Sequence, residues 1–421
     1  MPSTITQQVR PRWCGGRRDG ICSKSPNGRT ACRSHRSVGM LDVLIAGAGP
    51  AGCIAGIALA RAGARVLMVD RARFPRAKLC GDSLNPGALA LLRRLGLAGY
   101  PERHGVPAEG MIVTGANGAR IEARYPRGMQ GRLVSRADFD AWLLEQAAAS
   151  GVWFEDRARV IGPVFASDDE RRVAGVRIDD GRRGVKTITA PVTIAADGRR
   201  STLAFGLGLS HHPKKPRRWA VGAYFEGVCG LSSFGEMHIR SGHYIGIAPL
   251  PGGVANACFV APGLASLPAH RDLGTLLMTE IGRDPVLGPR FATARLATRP
   301  IALGPLAVDA KSAGMPGLLL AGDAAGFIDP MTGDGLYFAI RGGELAAQAA
   351  GLVLSGEMSS SHGWLTEHRE REFRWKRYFN RSLRQLVDHS WAVALASRLG
   401  AVYPAAIGTA VSIAGDVNRA G

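Results

Sequence analysis

The chain has 421 residues, 46% of them hydrophobic, and a formal net charge of +19. Such a length and apolar content allow a large core shared by two or three domains and exclude a disordered chain. The arginines are scattered and form no recognition helix, zinc finger or RNA-binding signature, so nucleic acid is not the expected partner. The excess charge fits either plain arginine-rich usage or attraction to anions such as nicotinamide phosphates, CoA-like compounds and acidic lipid headgroups.

Seven cysteines without a C-x-x-C pair give no disulfide framework. A reducing, cytoplasmic setting is expected. Cys14, Cys22, Cys32 and His35 are poorly spaced for a metal, and no metal site is predicted. Residues 1–39 hold eight Lys/Arg against one Asp, with Pro2, Pro11 and Pro26 and no apolar stretch. They read as a disordered basic leader or a mis-assigned start ahead of Met40, not a secretory signal.

Leu41–Ala60 is apolar enough to suggest a membrane span, but Gly47-Ala48-Gly49-Pro50-Ala51-Gly52 would interrupt a lipid-exposed helix. The better reading is a buried strand through Val43, Leu44 and Ile45, then G-x-G-x-x-G at Gly47, Gly49 and Gly52, then an Ala-rich helix over 51–62. The first glycine permits a tight turn, the second lets backbone approach a pyrophosphate, and the third lets helix pack on strand. Pro50 and Ala51 open the helix, whose N–H groups and dipole attract phosphate. A second strand over 65–69 ends in Asp70, followed by Arg71. Asp70 lies 18 residues past Gly52 (70 minus 52). That is near the ~20 expected of an acid that binds an adenosine ribose. Dinucleotide binding follows from this context, with NAD and FAD both open.

Further along, "FPRAKLCGD" carries Arg76, Lys78 and Cys80, and Arg136 stands just before an amphipathic helix. Lys78 and Arg76 suit pyrophosphate or NADPH phosphates. "PVTIAADG" predicts a strand ending in Asp197-Gly198. Residues 219–262 predict antiparallel strands, and 263–292 predict helix broken at Pro268, Pro285 and Pro289. Leu318–Ala321 predicts another buried strand ending in Gly322-Asp323; Pro330, Gly333 and Gly335 then open a helix. A Gly-Asp strand end suits a sugar-alcohol chain, and a Pro-x-x-Gly-x-Gly turn at a helix N-terminus suits an edge that becomes anionic. A reduced flavin has both features and NAD has neither, so this second glycine turn selects FAD. The tail from Trp364 mixes Phe373, Trp375, Tyr378 and Phe379 with Arg and Lys. It is expected to be a helix pair that closes a pocket, with peripheral membrane contact as the alternative. Trp391–Ser412 is apolar, but Arg398 and Pro404 argue against a span.

In this order the motifs resemble flavoproteins of the para-hydroxybenzoate hydroxylase fold. "FPRAKLCGD" and "GDAAGFIDPMTGDGLYFAIRGGELAA" are most similar to the geranylgeranyl reductase branch. The resemblance spans about 40–350. It implies an α/β fold: a Rossmann-like FAD domain of the GR2/PHBH type, an inserted antiparallel substrate sheet and a helical tail. The FAD domain would comprise 40–115, 131–210 and 296–355, the substrate domain 116–130 and 211–295, and the tail 356–421. It implies FAD contacts at Gly47, Gly49, Gly52, Asp70, Arg136, Asp197, Gly322, Asp323, Gly333 and Gly335. Pro50, Ala51, Arg71, Gly198 and Pro330 belong to the same motifs. It also implies reduction by NADH or NADPH without a second nucleotide domain, and no second G-x-G-x-x-G in a strand–helix context is present.

Aromatic hydroxylases usually carry His after Gly-Asp-Ala-Ala; Gly326 stands there and favours the reductase branch. Reductases tend to carry Tyr-x-Trp-x-Phe-Pro with a later Asn. Here Tyr244, Pro249 and Asn256 remain, but Gly246 and Ala248 replace Trp and Phe, implying a roomier pocket. The Trp-x-Trp-x-Ile-Pro signature of flavin halogenases is missing. The expected activity is C=C reduction on an apolar isoprenoid, polyketide or lipid-like molecule, with Cys80 or Tyr244 supplying a proton. The alternatives are hydroxylation through a flavin C4a-hydroperoxide and flavin-free binding of prenylated partners, as in Rab GDP-dissociation inhibitors. The intact motifs oppose the last.

Overall fold

A computed structural model describes residues 40–421 except 116–118, 127, 182–183, 215–217, 265–271, 390–403 and 417–421. The basic leader, with its cysteines, and the first half of the apolar tail lie outside the described residues.

The first layer is a six-stranded sheet in the order 314–315, 318–320, 192–195, 43–46, 66–69, 153–155. All neighbours are parallel except the edge pair at 314–315. Val43–Ala46 and Val192–Ala195 are buried at every position, as continuous apolar runs must be when a parallel sheet is covered on both faces. Helices Pro50–Arg61 and Gly335–Leu354 cover one face, and both contribute to the largest apolar cluster. Their close approach depends on Gly343, where a Cβ would overlap the Ala51 carbonyl oxygen. An antiparallel three-strand meander over 159–189 lies against the other face.

The second layer is a larger sheet in the order 295–296, 218–226, 254–262, 243–250, 234–240, 110–114, 120–124. Alternation along these strands divides its side chains between two faces. Val221, Phe225, Ile245 and Phe259 pack on helices Leu273–Arg283 and Leu287–Phe291. Ala220, Met237, Tyr244 and Val260 face the opposite way, toward Leu306 and Met331.

Two sequence-drawn boundaries need correction. Residues 110–114, assigned to the FAD domain, pair in parallel with Phe234–His238 of the second sheet. On its other side Gly110 admits strand 120–124 closely, because a Cβ there would overlap the Ala123 carbonyl. Residues 296–303, also assigned to the FAD domain, pair with Arg218–Glu226. Short apolar stretches carry no mark of which sheet they will join.

The tail helix His362–Asp388 buries Leu365 and Phe373 on the first layer, where Phe373 meets Phe338 edge-on at 4.8 Å. A last helix, Pro404–Ala414, ends where Gly87 N–H donates to the Gly415 carbonyl at 3.0 Å. Among the described residues no helix is long and apolar enough to cross a membrane.

Candidate active site

Between the layers lies a cavity of about 750 Å³. Every site residue named from the sequence lines it except Gly52. Gly52 is buried beneath the turn, where a Cβ would overlap the Gly47 carbonyl oxygen. It serves helix packing.

At the polar end, Gly47 has φ +104°, and any Cβ on it would strike the Ala196 backbone. Asp70 accepts the N–H groups of Ala48 and Ala72, each at 2.8 Å, which holds the glycine turn against the second strand. A carboxylate has about four lone-pair positions, so Asp70 keeps capacity for sugar hydroxyls. Asp197 accepts Thr202 N–H at 3.0 Å, and Gly198 follows at φ +85°. Gly322 at φ +61° starts a short turn through Ala325, and Gly333 at φ +69° closes the turn Pro330–Thr332. The helix from Gly335 then points its N-terminus into the cavity region.

Arg136 is the first residue of its helix, and its guanidinium is buried in a two-pronged pair with Asp140 at 2.8 and 2.9 Å. Burial works to lower its pKa, but Asp140 and the neighbouring Cys80 raise it well above the ordinary value. Arg76 also meets Asp140, at 3.2 Å, and stacks over Phe74. Lys78 faces the cavity, and burial followed by the Arg136 charge lowers its pKa.

The irregular segment 78–81 meets the second sheet. Asn256 donates to the Cys80 carbonyl at 2.5 Å and to Asp82 at 2.7 Å. Tyr244 is buried, and its hydroxyl donates to Asp329 at 2.6 Å. Burial, then the Asp329 charge, raises the Tyr244 pKa well above normal. Arg218 balances Asp329 from 3.4 Å and lies over the Tyr244 ring. The tyrosine proton is therefore directed at Asp329. At Gly246 a Cβ would find nothing nearer than 3.9 Å, so the space an aromatic side chain would occupy there is open.

Several residues here were not singled out from the sequence. Asp82, Asp329 and Arg218 bear the buried charge, and Arg199 lines the polar end with Nη1 buried and without a hydrogen-bond partner. Burial lowers the Arg199 pKa to about 10. Lys376 pairs with Asp334 and Asp416 and so pins the last helix beside the cavity, which Ala414 lines. Among these, only Asp82 carried a signal, its place directly after Cys80-Gly81. Among the described residues no cluster suits a metal ion.

The polar end fits FAD on two observations. The glycine cradle at Gly47 would be filled by any side chain, and an orphaned guanidinium nitrogen of Arg199 faces the same space. Residues 40–269 match the family model described as FAD binding domain. A menaquinone reductase of Mycolicibacterium smegmatis is 32% identical, covering 79% of this chain and 82% of that protein. A digeranylgeranylglycerophospholipid reductase of Methanopyrus kandleri is 27% identical, covering 83% of this chain and 85% of that protein. Among solved structures, the myxobacterial chondrochloren halogenase superposes with a TM-score of 0.75 at 23% identity, covering 87% of this chain and 90% of that one. At that identity the likeness concerns the fold alone.

Proposed function

The chain belongs to the FAD-binding-domain family of flavoenzymes, and from that premise we propose that it saturates a carbon–carbon double bond in an isoprenoid-bearing lipid at the expense of NADH or NADPH. The observation that carries this reading is the continuity of one cavity, from the glycine turns to the apolar face around Tyr244, with Cys80 on its wall. The named activities of the two reductase relatives support the reaction class.

Bound FAD supplies the two-electron chemistry. The Gly47–Gly49 turn with Pro50 and Ala51 would hold its pyrophosphate, and Asp70 with Arg71 its adenosine ribose. Arg136 and Asp197-Gly198 would flank the chain between the two halves. Asp323 would take ribityl hydroxyls, and the turn Pro330–Gly335 would face the pyrimidine edge. Saturating one double bond consumes two electrons and two protons. Cys80 is the better placed protein acid, because Tyr244 is held by Asp329 and serves to orient. The open space at Gly246 accommodates a bulkier group than an aromatic side chain would leave room for.

The tail helix exposes Trp375 and Tyr378, at 75% and 55%, as an edge-on pair beside Arg371 and Arg374. We assign this face to contact with an anionic lipid surface, from which such a substrate would be drawn.

The test is anaerobic turnover of FAD-loaded protein with NADH or NADPH and menaquinone, offered either in detergent or in anionic phospholipid vesicles. The expected product, read after any quinol has been reoxidised to the quinone in air, is heavier by two hydrogens, and Trp375→Ser slows turnover from vesicles but not from detergent. Hydroxylated product in air, with no saturated product under either condition, would replace the reductase reading.

A further inference from the structure

Asp82 is completely buried and has φ +52°, a left-handed conformation that Asp tolerates better than most residues. Groups from one helix and two strands of the second sheet converge on its carboxyl. Arg136 N–H donates to Oδ1 at 3.2 Å, Asn256 Nδ2 donates to Oδ2 at 2.7 Å, and the Tyr224 hydroxyl also bonds to it. The Arg136 guanidinium, the Cys80 thiol and the half-buried Cys258 thiol complete the charged and titratable surroundings. Asn256 is the junction. Its amide nitrogen also donates to the Cys80 carbonyl, while its oxygen accepts from Cys258 Sγ at 3.5 Å.

Resting on the assignment of Cys80 to the reacting wall, we propose that Asp82 is a positioning residue whose ionised carboxylate orients the Asn256 amide and thereby clamps the segment that presents Cys80. The chemistry is a matter of donors and acceptors. An ionised carboxylate only accepts, so it requires the NH₂ side of Asn256, and that same group is the donor to the Cys80 carbonyl. A protonated carboxyl donates. It would favour the amide turned over, with Asn256 oxygen toward Asp82 and no donor left for Cys80. Burial pushes the Asp82 carboxyl up to about 7, against the Tyr224 and Asn256 hydrogen bonds and the Arg136 charge. The clamp therefore engages as pH rises through neutrality.

The FAD-loaded protein carries its own reference for a test, because Cys229 is an exposed free thiol. Iodoacetamide labelling of Cys80 is measured against Cys229 by peptide mass spectrometry between about pH 6 and 8.5, so that the reagent's own pH dependence is divided out, and the Asp82→Asn and Asn256→Ala proteins supply the reference for the thiol itself. The expected ratio falls roughly tenfold across a midpoint near neutrality, the population change that one net hydrogen bond supports. In Asp82→Asn, whose side chain mimics the protonated carboxyl and suits the same backbone, the ratio is high and flat. Asn256→Ala is flat as well, and Tyr224→Phe keeps the step with a moved midpoint. A wild-type ratio without a step, or a step retained in Asp82→Asn, overturns the proposal. Labelling reads the clamp whether or not the protein reduces a substrate, so failure of the reductase reading would be seen separately, in the turnover assay.

Discussion

The floor and the roof of the cavity are built on different principles. The floor holds its shape with backbone: Gly47 against Ala196, Gly52 against Gly47, Gly343 against Ala51, and Asp70 on two N–H groups. The roof uses side chains from distant strands, joined through buried charge: Arg218 to Asp329 to Tyr244, and Asn256 to Asp82. A backbone cradle suits a cofactor of fixed shape. A side-chain roof can be altered one position at a time, which is how substrate range changes on a constant fold. Changes in the floor should therefore cost flavin, and changes in the roof should cost substrate selectivity.

The largest effect is expected where the two regions meet. Asp329 accepts Tyr244 and Arg218 from the roof and Met331 N–H from the floor. Asp329→Ala leaves the Arg218 guanidinium buried without its carboxylate, a loss of about 3–5 kcal/mol. Urea unfolding of the holoprotein measures it. A loss below about 1 kcal/mol would mean that water reaches Arg218 and that the seam is not sealed.

A smaller effect separates the floor from the roof. Gly52→Ala puts a methyl group into the Gly47 carbonyl, and the turn must shift to admit it. The expected destabilisation is about 1–3 kcal/mol, with flavin absorbance per protein lost well before the fold. If the purified variant is as yellow as the wild type, the turn is more pliable than a backbone cradle allows.

This contrast also explains what could be read from the chain alone. Glycines at the floor are local signals, since each sits within a few residues of the strand and helix it joins, and their spacing pointed to one ligand. The buried polar contacts that join roof and cavity are separated by long stretches of sequence: the ion pair of Arg218 with Asp329, and the hydrogen bonds of Asn256 to Asp82 and of Asn85 to Asp334. No periodicity links such partners, and a single Asp in a loop looks the same whether solvated or buried. Strand membership failed in the same way. Gly110–Thr114 has an ordinary alternating pattern, and only its parallel partner at Phe234–His238 sends it to the roof. Tyr244 and Asn256 were found because a family pattern names them, while the carboxylates that hold them were not.

The smallest effect on stability, and the sharpest on selectivity, is expected at Gly246. Its φ needs no glycine, and a Cβ there meets only the Glu236 carbonyl and the tip of Met237, both at 3.9 Å. A side chain at this point would project from the middle of a roof strand into the cavity that Gly246 and Ala248 line. Gly246→Trp should therefore fold within about 1 kcal/mol of the wild type, because it fills space already present and displaces no backbone. It should also retain a full complement of flavin, since no floor contact changes. What it removes is room for a bulky ring system beside the reacting wall. KM for menaquinone should rise by roughly tenfold or more, while a linear polyprenyl substrate should be affected much less. Equal losses for both substrates would place the ring elsewhere in the cavity, and loss of flavin would show that roof and floor are not separable in the way their construction implies.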